Sequence, residues 1–130
     1  AAKKYQQLIS GTDNAFKLAK KYDLLFGFGT DTQGSPALAE RQGAQLAKLA
    51  RYFEPWEVLK IATSQNYQIM KRSGPRDPYP GENGVVKEGA YADLLLVDGN
   101  PLEDINLIAD PHKNFVIIMK DGVIYKNTLQ

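Results

Sequence analysis

Side chains able to do chemistry are few in this sequence, and they do not cluster. There is no cysteine and one histidine, His112, set in the turn-like run Asp110-Pro111-His112-Lys113. That inventory excludes disulfides, thiolate nucleophiles and cysteine-type zinc sites. It also leaves too few imidazoles for the chain to assemble a typical zinc site alone. Ser10, Ser35, Ser64 and Ser73 lack the setting of a nucleophile elbow, and a turn histidine gives no credible base for a Ser-His-Asp triad. Glu54 and Glu57 read as acidic residues at a helix start, where the helix dipole favours them. The remaining candidate is Asp31, at the tip of Leu24-Leu25-Phe26-Gly27-Phe28-Gly29-Thr30-Asp31: an apolar run, two glycines and a bare carboxylate.

Three roles compete for that carboxylate. As the rim of a dinucleotide loop, Gly27-x-Gly29 would need glycine or alanine at position 32, where Thr32 stands, and Asp31 would face a pyrophosphate. As a phosphate loop, Gly29 to Gly34 has the glycine spacing but continues Ser35-Pro36 in place of Lys-Ser/Thr. Both nucleotide readings fail on chemistry. A structural role stays open, because an aspartate just after a strand commonly closes a turn or caps the next helix. So does catalysis: if LLFGF is a strand buried on both sides, Asp31 lies at its carboxyl end, where parallel α/β folds place reactive groups.

The elements that must position Asp31 are set by periodicity. Residues from about Ala2 to Lys21 read as helical with a break at Gly11, Thr12 or Asp13 capping a second helix whose face carries Ala15, Phe16 and Ala19. After LLFGF, Ser35 and Pro36 start a helix with the stripe Leu46, Leu49, Ala50 and Phe53. Glu54-Pro55 restarts a helix to about Met70, with Trp56, Leu59, Ala62 or Thr63, and Ile69 at helical spacing. The Pro- and Gly-rich stretch 71–84 is loop chemistry and the main internal boundary. Short strands come next at Gly84–Lys87 and Ala92–Val97, then a short helix from Pro101 to about Ile108. A hairpin closes the chain, with Phe115–Met119 and Val123–Lys126 flanking Lys120-Asp121-Gly122.

Bulk composition narrows the partners. With 16 basic and 15 acidic residues among 130, the net charge is +1, which gives no electrostatic case for nucleic acid or an anionic membrane. The apolar runs are far too short to span a bilayer, and no secretory signal is visible, so a cytoplasmic location is the expectation.

Several segments together resemble the C-terminal part of the amidohydrolase superfamily, the metal-dependent (β/α)8-barrel hydrolases, and its imidazolonepropionase-like and Xaa-Pro dipeptidase-like members in particular. Phe28-Gly29-Thr30-Asp31 resembles the family's last barrel strand, and Pro55 to Thr63 is similar to its P-x-E-x-L-x-x-A-T helix. Gly84 to Val97 looks like the return into a small β-domain, and Asp98 to Ile105 and Val116 to Tyr125 resemble the family's closing motifs. The helix departs from the pattern after Ala62-Thr63, where Asn66-Tyr67-Gln68 replaces Asn-Ala-Ala.

The resemblance implies an α/β fold made of a C-terminal fragment of a (β/α)8 (TIM) barrel, its last strand and flanking helices, plus the C-terminal strands of a small β-sandwich domain. The implied divisions are 1–72 for the barrel end, 73–84 for the connection and 85–130 for the β-domain. It implies a parent hydrolase that cleaves C–N bonds of amides, cyclic amides or dipeptides by metal-activated water, with a small-molecule substrate and a divalent metal, zinc by expectation. Asp31 would be the metal ligand and catalytic base, and Thr32 and Gln33 would line the substrate pocket. The remaining ligands lie on strands this sequence does not contain. The piece alone is therefore expected to hold no metal, to be inactive, and to cover its apolar surfaces by self-association. The competing expectation is a non-catalytic α/β module for assembly, with Asp31 a cap.

Overall fold

A computed structural model describes residues 2–32 and 34–129. The first element, α1 (Ala2–Lys21), is continuous. The expected break at Gly11 does not occur, because a solvent-facing glycine costs a helix only about 1 kcal/mol and Gly11 meets nothing around it. Thr12 is accordingly no cap; its hydroxyl donates back to the Leu8 carbonyl at 2.9 Å. Asp13 instead accepts from the Tyr52 hydroxyl and from Arg51 Nη2, the latter at 3.1 Å, and its carboxylate pushes the Tyr52 phenol above its ordinary pKa. Phe16 then packs on Tyr52 and Phe53, with ring centroids 4.6 and 5.5 Å away.

Residues 24–32 form no strand. The composition of the apolar run suits a sheet, but no neighbouring strand is present to supply a ladder among the described residues. The chain then enters α2 (Pro36–Ala39), where Ser35 is the cap, its Oγ accepting from Leu38 N–H at 3.3 Å. Next come α3 (Gln42–Ala47), a 3-10 turn (Lys48–Arg51) and α4 (Pro55–Lys60). Glu54 and Glu57 close a capping box in which Glu54 N–H donates to Glu57 Oε2 at 2.8 Å. A π turn, Ile61–Gln65, joins α4 to α5 (Asn66–Lys71). Within this rod Val58 and Ile61 are buried, whereas Trp56, expected on the inner stripe, is 54 % exposed.

The second part of the chain is built on a small antiparallel sheet. The strands are β1 (Leu94–Val97), β2 (Phe115–Lys120) and β3 (Val123–Asn127), in that order. Between β1 and β2 lie a 3-10 turn, Ile105–Ala109, and α6 (Pro111–Asn114). Asp104 and Asp110 cap these two by accepting from Asn106 N–H and Lys113 N–H. Residues 84–87 are not a strand; nearby, only a single bridge joins Glu82 to Ala90. In the 71–84 connection Lys71 Nζ bonds Asp77 Oδ2 at 2.9 Å and the Tyr79 carbonyl at 2.7 Å. The Lys71 ammonium, and then the Tyr79 N–H, hold the Asp77 carboxyl below its ordinary value, while Asp77 raises Lys71.

One core joins the two parts. Leu46, Ala47, Phe53, Val58 and Ile61 pack with Ile105, Ile108 and Phe115. The closest joint is α3 against the 105–109 turn, where a Cβ on Gly43 would sit 2.0 Å from the Ile108 carbonyl oxygen. The exposed surface is 9521 Å², against roughly 6,800 Å² for a compact monomer of this mass. Tyr5, Leu8, Leu24, Trp56, Leu95 and Tyr125 are among the apolar side chains left open.

Candidate functional site

The segment carrying Asp31 is anchored at its start and exposed at Asp31 itself. It leaves α1 through Asp23, which has a left-handed φ of 46°, with Leu24 N–H donating to the Ala19 carbonyl at 3.0 Å. Phe26 then enters the aromatic cluster, 5.3 Å from the Phe53 ring and 5.9 Å from Phe16. At Phe28 the backbone is gripped by a side chain from the far end of the π turn. Asn66 Oδ1 accepts the Phe28 N–H at 2.9 Å, and Asn66 Nδ2 donates to the Phe28 carbonyl at 3.0 Å and to the Ala62 carbonyl at 3.3 Å.

That amide does for Phe28 what a neighbouring strand would do, pairing both backbone groups at once. It comes so close that a Cβ on Gly27 would lie 2.2 Å from Asn66 Oδ1 and 2.9 Å from Ile69 Cδ1. Gly27 is therefore small for contact and not for turning. Sequence reasoning missed Asn66 as part of the site. The available signal was an asparagine one turn past Ala62-Thr63 together with a glycine inside an apolar run, two features that only the fold connects.

Beyond Phe28 the segment opens. Gly29 has free space around it, and Asp31 is exposed with a left-handed φ of 49°. The hydroxyls of Thr30 and Thr32 lie 3.3 Å apart, on either side of Asp31 in the sequence. Asp31 is thus followed by the half-buried Thr32, and Gln33 lies outside the described residues. Asp31 does not cap α2, since Ser35 does that. A left-handed aspartate is not distinctive by itself, because Asp23 and Asp121 share the conformation in ordinary turns.

Among the described residues, no three His, Cys, Asp or Glu side chains converge on a point. His112 belongs to a separate cleft, lined also by Phe28, Glu40, Leu95 and Phe115. Among the described residues Asp31 is thus a single carboxylate of ligand type. No described helix is long and apolar enough to cross a membrane.

Residues 2–126 match the amidohydrolase family. The chain is 32 % identical over 124 residues to ochratoxinase of Aspergillus niger, covering 95 % of this chain and 24 % of that protein. Among solved structures it resembles a crystal structure of an amidohydrolase, with a TM-score of 0.74, 30 % identity, and coverage of 90 % of this chain and 26 % of the other. It also resembles a prolidase complexed with N-methylphosphonate-L-proline, with a TM-score of 0.73, 28 % identity and coverage of 88 % and 26 %. The chain spans about a quarter of the length of the proteins it matches.

Proposed function

The chain belongs to the amidohydrolase family, and from that premise we propose that it is the C-terminal part of a hydrolase of C–N bonds. Residues 24–32 take the place of the last strand of a (β/α)8 barrel once neighbouring strands are present, the helices between Pro36 and Lys71 are its flank, and the sheet from Leu94 to Asn127 belongs to a small β-domain. The absence of a ladder at 24–32 agrees with this reading, since a barrel strand needs neighbours on both sides. The open surface agrees with it as well: 9521 Å² is about 40 % more than a compact monomer exposes.

Asp31 is the catalytic group this stretch contributes, and with it comes the family's implied divalent metal, whose other ligands lie elsewhere in the protein. The observation that carries the reading is the placement of Asp31: exposed, at the end of the anchored segment, with the helix-capping job already taken by Ser35. Its carboxylate takes a proton from the water whose oxygen bonds to the carbonyl carbon, and returns it to the nitrogen as the C–N bond breaks. Thr32 and Gln33, next along the loop, border the substrate. Prolyl dipeptides and ochratoxin are the probes suggested by the relatives.

The test is Asp31→Asn in the whole protein that carries this sequence. It is expected to lower kcat by about 100-fold or more while leaving the thermal transition in place. Turnover equal to the parent would sink the assignment and leave the assembly-module reading, which the exposed apolar side chains favour. The isolated 130-residue chain is expected to be inactive and to self-associate through those side chains. Light scattering that reports a monodisperse 14.4-kDa particle would show that its apolar faces need no cover.

A further inference from the structure

We infer that Asn66 is a positioning residue for Asp31: its amide, clamped on both backbone groups of Phe28, sets where the carboxylate three residues further on comes to rest. The inference rests on the reading of Asp31 given above.

The geometry of the amide is fully determined. Oδ1 faces the one N–H within reach, and the two hydrogens of Nδ2 face the carbonyls of Phe28 and Ala62. Rotating the amide by 180° would set like against like at every contact. The group is held from its own helix by the Ala62 contact and from the segment by the Phe28 pair. Gly27 lets it approach this closely, so the grip is built from both sides.

Phe28 is also the last firmly held residue before Asp31. Gly29 has open space around it, and past it, among the described residues, the ties are the contact between the Thr30 and Thr32 hydroxyls and the Thr32 carbonyl, which accepts the Ser35 N–H at 3.2 Å. Three residues span at most about 11 Å, so a shift at Phe28 passes to Asp31 with little to absorb it. A displacement of about 1 Å of a reacting group can cost about 100-fold in rate. Of the groups given a place beside the substrate, only Thr32 and Gln33 lie on this segment, and neither takes part in the proton transfer, so the effect should fall on kcat more than on KM.

The experiment compares Asn66→Ala, Gly27→Ala and Asp31→Asn in the whole protein, with a prolyl dipeptide or ochratoxin, whichever the parent hydrolyses. Asn66→Ala is expected to lower kcat by about tenfold or more, to leave KM within about threefold, and to speed hydrogen exchange across residues 26–31. Gly27→Ala, which drives Asn66 off Phe28 from the other side, should lower kcat in the same way, and the double variant should be no worse than the poorer single one. If Asn66→Ala fails to fold, Gly27→Ala carries the same comparison. Asp31→Asn inactive beside an Asn66→Ala enzyme with unchanged kcat overturns the positioning role alone. A fall confined to thermal stability or to KM overturns it too. Asp31→Asn with full turnover removes the reading on which the role depends.

Discussion

The two ends of this molecule satisfy their backbones in opposite ways. The C-terminal sheet closes its ladders within about thirty-five residues of chain, with Leu94 opposite Met119 and Lys120 opposite Val123. Its turn, Asp121-Gly122, has φ values of 49° and 76°, both in the left-handed region that matches the twist of a two-residue hairpin. The segment at 24–32 has no ladder, and its central residue is paired by one side chain 38 positions away. The sheet is specified by neighbours in sequence; the segment is specified by whatever surrounds it. A region of the second kind suits a reactive group, since its exposed tip need not serve the fold.

The contrast can be broken at the joint, where the largest effect is expected. Gly43→Ala sets a methyl against the Ile108 carbonyl oxygen and forces α3 away from the 105–109 turn. A loss of about 3 kcal/mol is expected in urea denaturation of the chain, felt by both parts because they share one core. A loss under about 1 kcal/mol would mean that the two parts are stabilised independently.

A smaller and more local effect should come from Gly122→Ala, which places a Cβ at a φ of 76°. It is expected to cost about 1 kcal/mol and to speed hydrogen exchange in β2 and β3 while residues 24–28 keep their protection. Equal loosening at both places would erase the distinction between them.

The smallest effect concerns the connection. Asp77 is held below its ordinary value of 3.8, chiefly by the Lys71 hydrogen bond, so its contribution is complete above that pH and is lost as pH falls through the depressed value. Lys71 is raised above its ordinary 10.5, so its share is complete below 10.5 and is lost as pH rises through the raised value. Proteolysis within 73–80 should therefore accelerate at the acid end, and Asp77→Asn should remove that acid dependence. Unchanged acid sensitivity in the variant would assign it to another group.

The features legible in the sequence are those that neighbours in sequence decide. Ser35-Pro36 and Glu54-Pro55 start helices as expected, because cap chemistry acts within three residues. Asp121-Gly122 turns the hairpin for the same reason. Residues 84–87 and 24–28 look like strands by composition, but pairing needs partners that composition does not supply. Helical spacing puts Trp56 inside, yet it lies outside, while Val58 and Ile61 take the buried face. Of the candidate site, Asp31 can be picked out as a carboxylate without an obvious structural task. Asn66 cannot, since its task is defined only by where the π turn carries it.

That π turn has a consequence for how the chain tolerates change in length. Its last hydrogen bond runs from Asn66 N–H to the Ile61 carbonyl, five residues back, so the rod carries one residue more than regular α-helix would hold there. Deleting one of residues 62–65 would let this bulge close into regular α-helix, so the direction of everything after it would be kept. The Asn66 amide would then still face Phe28. The rod thus carries one place where its count can fall by a residue without changing where it points, although Ile61 at the start of that place is fixed by the core.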